Sequence, residues 1–160
     1  MDSQTLLVVG DGEVADALVP MAELLGWSTT VAATLDEATA AMSSAQAVVV
    51  TSHDSEVDAP ALAAAIAARP AYIGAMGSRG RQANRREWLV AHGVTEADLD
   101  AVHGPAGLDI GANTPSEIAL SILAELVAAF RGAEVEGSLK DGSGPIHPDL
   151  PPGETFTPDG

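Results

Sequence analysis

Thr5-Leu6-Leu7-Val8-Val9-Gly10-Asp11-Gly12-Glu13-Val14-Ala15 is the stretch that decides the fold. A short uncharged apolar run reads as a buried strand, and Gly10-Asp11-Gly12 closes it with a tight turn. Val14, Leu18, Met21, Leu24 and Leu25 then recur at helical spacing until Gly26 stops the helix. Strand, glycine turn and helix together form the opening unit of a parallel sheet, because a parallel neighbour can be reached only through a crossover.

The alternation continues outward from that unit. Residues 27–33 read as a second strand, 36–42 as a helix, and 45–50 as a third strand apolar enough to be buried on both faces. Residues 59–68 are helical, 71–76 form strand four, 82–92 a helix, 95–99 a short helix, 101–103 a short fifth strand and 116–130 the last helix. This pattern predicts an α/β fold: a doubly wound, mostly parallel sheet with helices on both faces and right-handed crossovers. In such sheets ligands bind at the carboxyl ends of the strands, near the switch in strand order, and the glycine-rich turns fall there. Residues 1–132 are expected to form this domain. Residues 133–160, rich in Gly, Pro and acids and without periodicity, are expected to form a flexible tail.

Composition narrows the function classes. The 160 residues carry 23 acidic and 7 basic side chains, for a net charge of −16. Sequence-independent nucleic-acid binding needs basic surface, and stacking on single strands needs aromatics, which are 3% of this chain; no nucleic-acid partner is expected. There is no cysteine, so there is no disulfide, thiolate metal site or Cys nucleophile. No apolar run approaches the ~18 residues of a membrane span, and residues 1–4 lack a basic signal-type start, so the expectation is a cytoplasmic protein without a membrane partner. No catalytic triad and no local zinc-type spacing stand out, so neither catalytic nor metal residues are assigned.

Against that acidic background, Arg79, Arg81, Arg85 and Arg86 are four of the seven basic residues. Gly77-Ser78-Arg79 ends the fourth strand, and an arginine fork with a short hydroxyl beside it suits phosphate or carboxylate recognition. Arg85 and Arg86 read instead as a solvated helix face. In the segment 103–115, Gly107-Leu108-Asp109-Ile110-Gly111 precedes Thr114, a good N-cap; Pro115 suits the first helical position and Glu117 completes a capping box. The glycines there face a helix N-terminus, where backbone N–H groups favour anions. Asp109 either binds a ligand hydroxyl or amide, or caps a turn. Gly10-x-Gly12-x-x-Ala15 is a dinucleotide-type fingerprint in its proper strand-to-helix context. Yet Asp11 and Glu13 would repel phosphates there, and no acid ends the second strand at Ala32-Ala33-Thr34, so tight-turn packing is the competing reading. Thr51-Ser52-His53-Asp54 follows strand three: His53, oriented by Asp54, contacts a ligand, or the segment simply ends the strand.

Taken together, these segments resemble the C-terminal Rossmann domain of the XdhC/CoxI family, accessory proteins for xanthine dehydrogenase-type and carbon monoxide dehydrogenase-type molybdenum hydroxylases. The likeness covers about residues 5–131, and its most specific parts are Gly77-Ser78-Arg79 and the segment from Gly107 through Gly111 to Thr114-Pro115-x-Glu117. It implies a chaperone that holds molybdenum cofactor, molybdopterin or its cytidine dinucleotide form, assists its sulfuration or insertion, and delivers it to a molybdenum hydroxylase apo-enzyme. Gly10, Gly12, Ala15, His53, Asp54, Gly77, Ser78, Arg79, Asp109, Gly111 and Thr114 are the cofactor-binding candidates. The family's cysteine-containing N-terminal domain is not in this sequence, which implies a separate partner carrying that half; a homodimer is a further expectation. A small NAD(P)-binding oxidoreductase, resting on the first glycine turn, is the alternative from a different class, and an acidic scaffold for protein contacts is a third.

Overall fold

Thr5–Val9 (β1) forms a strand because each apolar side chain of its run finds an apolar layer: Leu7 and Val9 point to one face of the sheet, Leu6 and Val8 to the other. The computed structural model describes residues 3–135 and 139–141. The chain continues through α1 (Glu13–Leu24), β2 (Ser28–Ala32), α2 (Leu35–Met42), β3 (Ala47–Val50), α3 (Asp58–Ala68) and β4 (Tyr72–Ala75). The described residues continue with α4 (Arg79–Ala91), α5 (Glu96–Leu99), β5 (Val102–His103), α6 (Pro115–Arg131) and a 3-10 turn at Leu139–Asp141. The remainder of the tail expected over 133–160 lies outside the described residues.

All neighbouring strands pair in parallel, in the order β2-β1-β3-β4-β5. This is the doubly wound fold the alternation predicts. The order reverses at β1, whose two neighbours are β2 and β3, so the switch point lies between the β1 and β3 turns. Leu7, Val9, Val48, Val50 and Ile73 pack under α2, α3 and α4; Leu6, Val8, Val49 and Tyr72 pack under α1 and α6. Strands sandwiched between two apolar layers need no alternation of polarity, which is why 45–50 reads as almost uniformly apolar. Fully burying a Val or Leu side chain is worth about 1.5–3 kcal/mol, so these strands hold both layers to the sheet. No described helix is long and apolar enough to cross a membrane.

Element ends differ from the sequence expectation mainly at α4, which starts at Arg79 rather than at residue 82. The reason is local: Ser78 is the N-cap, its Oγ accepting from Arg81 N at 3.2 Å. Thr114 caps α6 as its sequence suggests, with Pro115 in the first turn and a reciprocal capping box to Glu117.

Candidate functional site

Five strand-to-helix connections meet at the carboxyl edge of the sheet, and the first is closed by protein. Val9 O accepts from Thr51 N at 2.8 Å and Ser52 N at 3.0 Å, drawing the β3 turn over the β1 turn. A Cβ on Gly10 would stand 2.5 Å from Ser52 N. Gly10 is therefore required for this close approach. Ala15 is a buried residue of α1 that packs with the cluster of Leu6 and Val8. Gly12 differs: it is the N-cap of α1 at φ +114, with no side-chain cap and no heavy atom within 4 Å of a Cβ placed there. The open N-terminus is ringed by carboxylates, exposed Asp11 and the first-turn acids Glu13 and Asp16. Those charges oppose the helix dipole's pull on an anion.

His53 is exposed, and its carbonyl accepts from Arg81 Nη1 at 3.0 Å. Asp54 accepts from Glu56 N at 2.9 Å, while Ser52 Oγ accepts from Asp54 N at 3.1 Å. Among the described residues no hydrogen bond joins the His53 and Asp54 side chains, so Asp54 shapes the turn that leads into α3.

Arg85 corrects the expectation of a solvated helix face. Its side chain is only 3% exposed and is paired to the similarly buried Asp58 at 2.9 Å. The same guanidinium donates to Met76 O at 2.6 Å and to Ser52 O at 3.2 Å. One planar fork thus joins the first turn of α3, the β3 loop and the β4 turn, and Asp58 is completed by Ala59 N at 2.6 Å. Arg86, by contrast, is exposed and pairs with Glu96 on the surface.

On the other side of β4 the edge is open. A cleft of about 480 Å³ lies between the β4 turn and the β5–α6 loop, lined by Gly77, Arg79, Leu108, Asp109, Gly111 and neighbours. Arg79 is exposed and has no ion pair or hydrogen bond from its side chain to the described residues. Gly111, at φ +73, has no heavy atom within 4 Å of a Cβ placed there. Gly107 is the anchor of the same loop, since a Cβ on it would lie 2.2 Å from Ser121 Oγ. Ser121 Oγ donates to Leu108 O at 2.8 Å, and Gly107 N donates to Glu125 Oε1 at 3.1 Å. Glu125 also accepts from the Tyr72 hydroxyl at 2.7 Å and lies 3.2 Å from His103 Nδ1. Burial, then the hydrogen bond to this carboxylate, push the Tyr72 hydroxyl well above the ordinary phenol range. At the loop's end Asn113 and Thr114 amides donate to Glu117, which lowers its carboxyl from the ordinary 4.5.

The structure therefore gathers Gly77, Arg79, Asp109 and Gly111 around one cleft, with Ser78 on the neighbouring cleft beside α3. Thr114 stands at the α6 N-terminus just beyond the loop, and Gly10, Gly12, Ala15, His53 and Asp54 belong to the other half of the edge. Three roles escaped the sequence reading: those of Arg85, Asp58 and Glu125. A signal existed for the first two. Arg85 stands four residues before buried Leu89, on the stripe that faces the core, and Asp58 heads an otherwise apolar helix. Nothing local marks Glu125, whose partners are distant in sequence.

The family model of the XdhC Rossmann domain matches residues 6–126. The molybdenum cofactor insertion chaperone PaoD of Escherichia coli (strain K12) is 30% identical over 134 residues, which is 83% of this chain and 42% of that protein. The uncharacterized protein YqeB of the same strain is 38% identical over 63 residues, 39% of this chain and 12% of its own. Among solved structures, a xanthine dehydrogenase (BH1974) from Bacillus halodurans superposes with a TM-score of 0.65 at 24% identity, covering 86% of this chain and 45% of that one. The last likeness speaks to the fold. The chain spans less than half the length of these relatives.

Proposed function

This chain belongs to the XdhC Rossmann-domain family, and from that premise we propose that it is the cofactor-holding module of a molybdoenzyme maturation factor. Its substrate is molybdenum cofactor, gripped by its phosphate or pyrophosphate in the cleft between the β4 turn and the β5–α6 loop and handed to a molybdenum hydroxylase apo-enzyme. The observation that carries this reading is Arg79: an exposed guanidinium without a partner among the described residues, beside the open backbone at Gly111, in a protein of net charge −16. A local cation in a negative field selects an anion that brings several acceptor oxygens to a bidentate fork. The insertion role of PaoD supports the same cargo.

The donor set fits the organic, phosphate-bearing part of that cargo. It offers no thiolate, since the chain has no cysteine. A sulfuration step would therefore take its sulfur carrier from outside these 160 residues. In this division of labour these residues grip and orient, and insertion or sulfuration chemistry is completed with groups outside them and the apo-enzyme.

The NAD(P) alternative rests on Gly10-x-Gly12-x-x-Ala15. At the end of β2, Thr34 caps α2 and Glu37 accepts from Ala33 N at 3.0 Å, so neither is free for a ribose, and Asp36 is the remaining exposed acid there. Calorimetric titration with pyrophosphate, molybdenum cofactor and NAD(H) separates the two readings. Pyrophosphate and cofactor should bind the wild type and weaken about tenfold or more in Arg79→Ala, as expected for loss of a charge-assisted hydrogen bond. Binding of NAD(H) alone, lost on Gly12→Val, would replace this proposal with an oxidoreductase.

A further inference from the structure

We infer that the cleft between α4 and β5 is a second subsite, one that takes the uncharged part of a ligand: an apolar body carrying an N–H or O–H donor. Only the claim that one ligand fills both clefts rests on the function proposed above. The cleft measures about 330 Å³, within the roughly 300–1,000 Å³ usual for small-molecule sites. Its floor is apolar, formed by buried Leu62, Leu89 and Leu99 with half-buried Val102.

Gln82 sets the polar end. Its Nε2 donates to Ala75 O at 2.9 Å and to Gly77 O at 3.2 Å, which engages both amide hydrogens. Two carbonyl partners accept only from nitrogen, so the carboxamide has one orientation and cannot flip. Its Oε1 is thereby held toward Gly104, where a Cβ would stand 2.6 Å from it. Gln82 and Gly104 both line the cleft, and nothing among the described residues donates to that oxygen. A fixed acceptor with an open approach selects a donor. The charges select a neutral one: Arg85 is paired with Asp58 and Arg86 with Glu96, which leaves Arg79 as the unpaired cation on this lining. A cationic group would meet that charge at the entrance.

The position of this cleft links it to the anion site. Arg79 and Pro105 line both. The two clefts therefore meet at the first residue of α4, and a ligand with an anionic arm on a donor-bearing apolar body would place its charge at Arg79 and its donor on Gln82.

The test titrates the isotopically labelled chain with benzamide and with acetophenone, a pair of the same shape in which the donor NH2 is replaced by CH3. The Val102 methyl signals, assigned by Val102→Ile, and the Gln82 side-chain amide report on the cleft. Benzamide should shift both saturably and bind about fivefold or more tighter than acetophenone, as one hydrogen bond to an otherwise open acceptor predicts. Gly104→Ala, whose methyl covers Oε1, should bring benzamide down to the affinity of acetophenone; if that variant does not fold, the ligand pair on the wild type decides alone. Equal affinities for the pair, no saturable shift at Val102, or a preference for benzamide that Gly104→Ala leaves intact overturns the subsite. Pyrophosphate is titrated separately and read at the Gly111 amide. Its failure to bind, with the benzamide preference present, removes the anion grip proposed above and leaves this subsite standing, and the converse result removes the subsite alone.

Discussion

The β1 turn and the β5–α6 loop solve the same construction problem with opposite electrostatics. Each contains one glycine pressed against protein, Gly10 on Ser52 and Gly107 on Ser121, and one facing open space, Gly12 and Gly111. Each leads into a helix N-terminus. Around Gly12 stand Asp11, Glu13 and Asp16 with no cation among them; across the cleft from Gly111 stands Arg79, with Asp109 as the acid on the same lining. Backbone shape alone would make both turns anion sites, and the side-chain charges favour the second, which is the one the proposed function uses. A glycine pattern thus describes where a ligand could approach, and the neighbouring charges decide which ligand would.

The most forceful way to break this contrast is to cut what holds the halves together. Arg85→Met leaves Asp58 as an unpaired buried carboxylate, and removing one partner of such a pair costs about 3–5 kcal/mol. Urea denaturation should show a loss of that size, together with weaker anion binding, because Ser52 and Met76 lose their shared donor. If the loss matches that of an exposed substitution, the pair is not the tie between the β3 and β4 loops.

Next in size is a pairwise test of the glycines. Gly107→Ala should cost more than Gly111→Ala, since both pay positive-φ strain of roughly 1–2 kcal/mol while only the first also drives a Cβ into Ser121. Equal losses in a melting experiment would mean that the loop shifts to absorb the clash. A smaller effect sharpens the loop's far end: Thr114→Ala removes the N-cap of α6 and should lower stability by about 1 kcal/mol.

The smallest effect is pH-dependent. Glu117 has a lowered pKa because backbone amides of Asn113 and Thr114 hold its charged form, so its contribution is complete above its ordinary 4.5 and disappears as pH falls through the lower folded value. The stability difference between wild type and Glu117→Ala should therefore shrink on acidification; a difference that grows would mean the capping box is not what the carboxylate serves.

Most of the sheet is legible in the sequence because its causes are local. The apolar run Ala47-Val48-Val49-Val50, Gly26 after α1 and Thr114-Pro115-x-Glu117 at α6 each encode their own element through burial, a left-handed stop or a cap. Arg79 is legible as well, since a cation in an acidic chain stands out by composition. What stays hidden depends on tertiary distance. Arg85 has the same composition signal as Arg79, yet its burial follows from Asp58, 27 residues earlier. The subordinate role of Gly10 follows from where β3 lands, which no residue near Gly10 records.

Glu125 carries one more consequence. β5 contributes only two ladder residues, so the hydrogen bonds of the sheet hold it weakly. Instead a single carboxylate from α6 gathers β4 through Tyr72, β5 through His103 and the loop through Gly107. The last strand, the loop and the last helix are therefore expected to open as one cooperative unit, with exchange of the Gly107 amide following the lifting of α6. On the function proposed above, release of the anion would then be an event of the helix rather than of the loop, with the unfolding clock of the former.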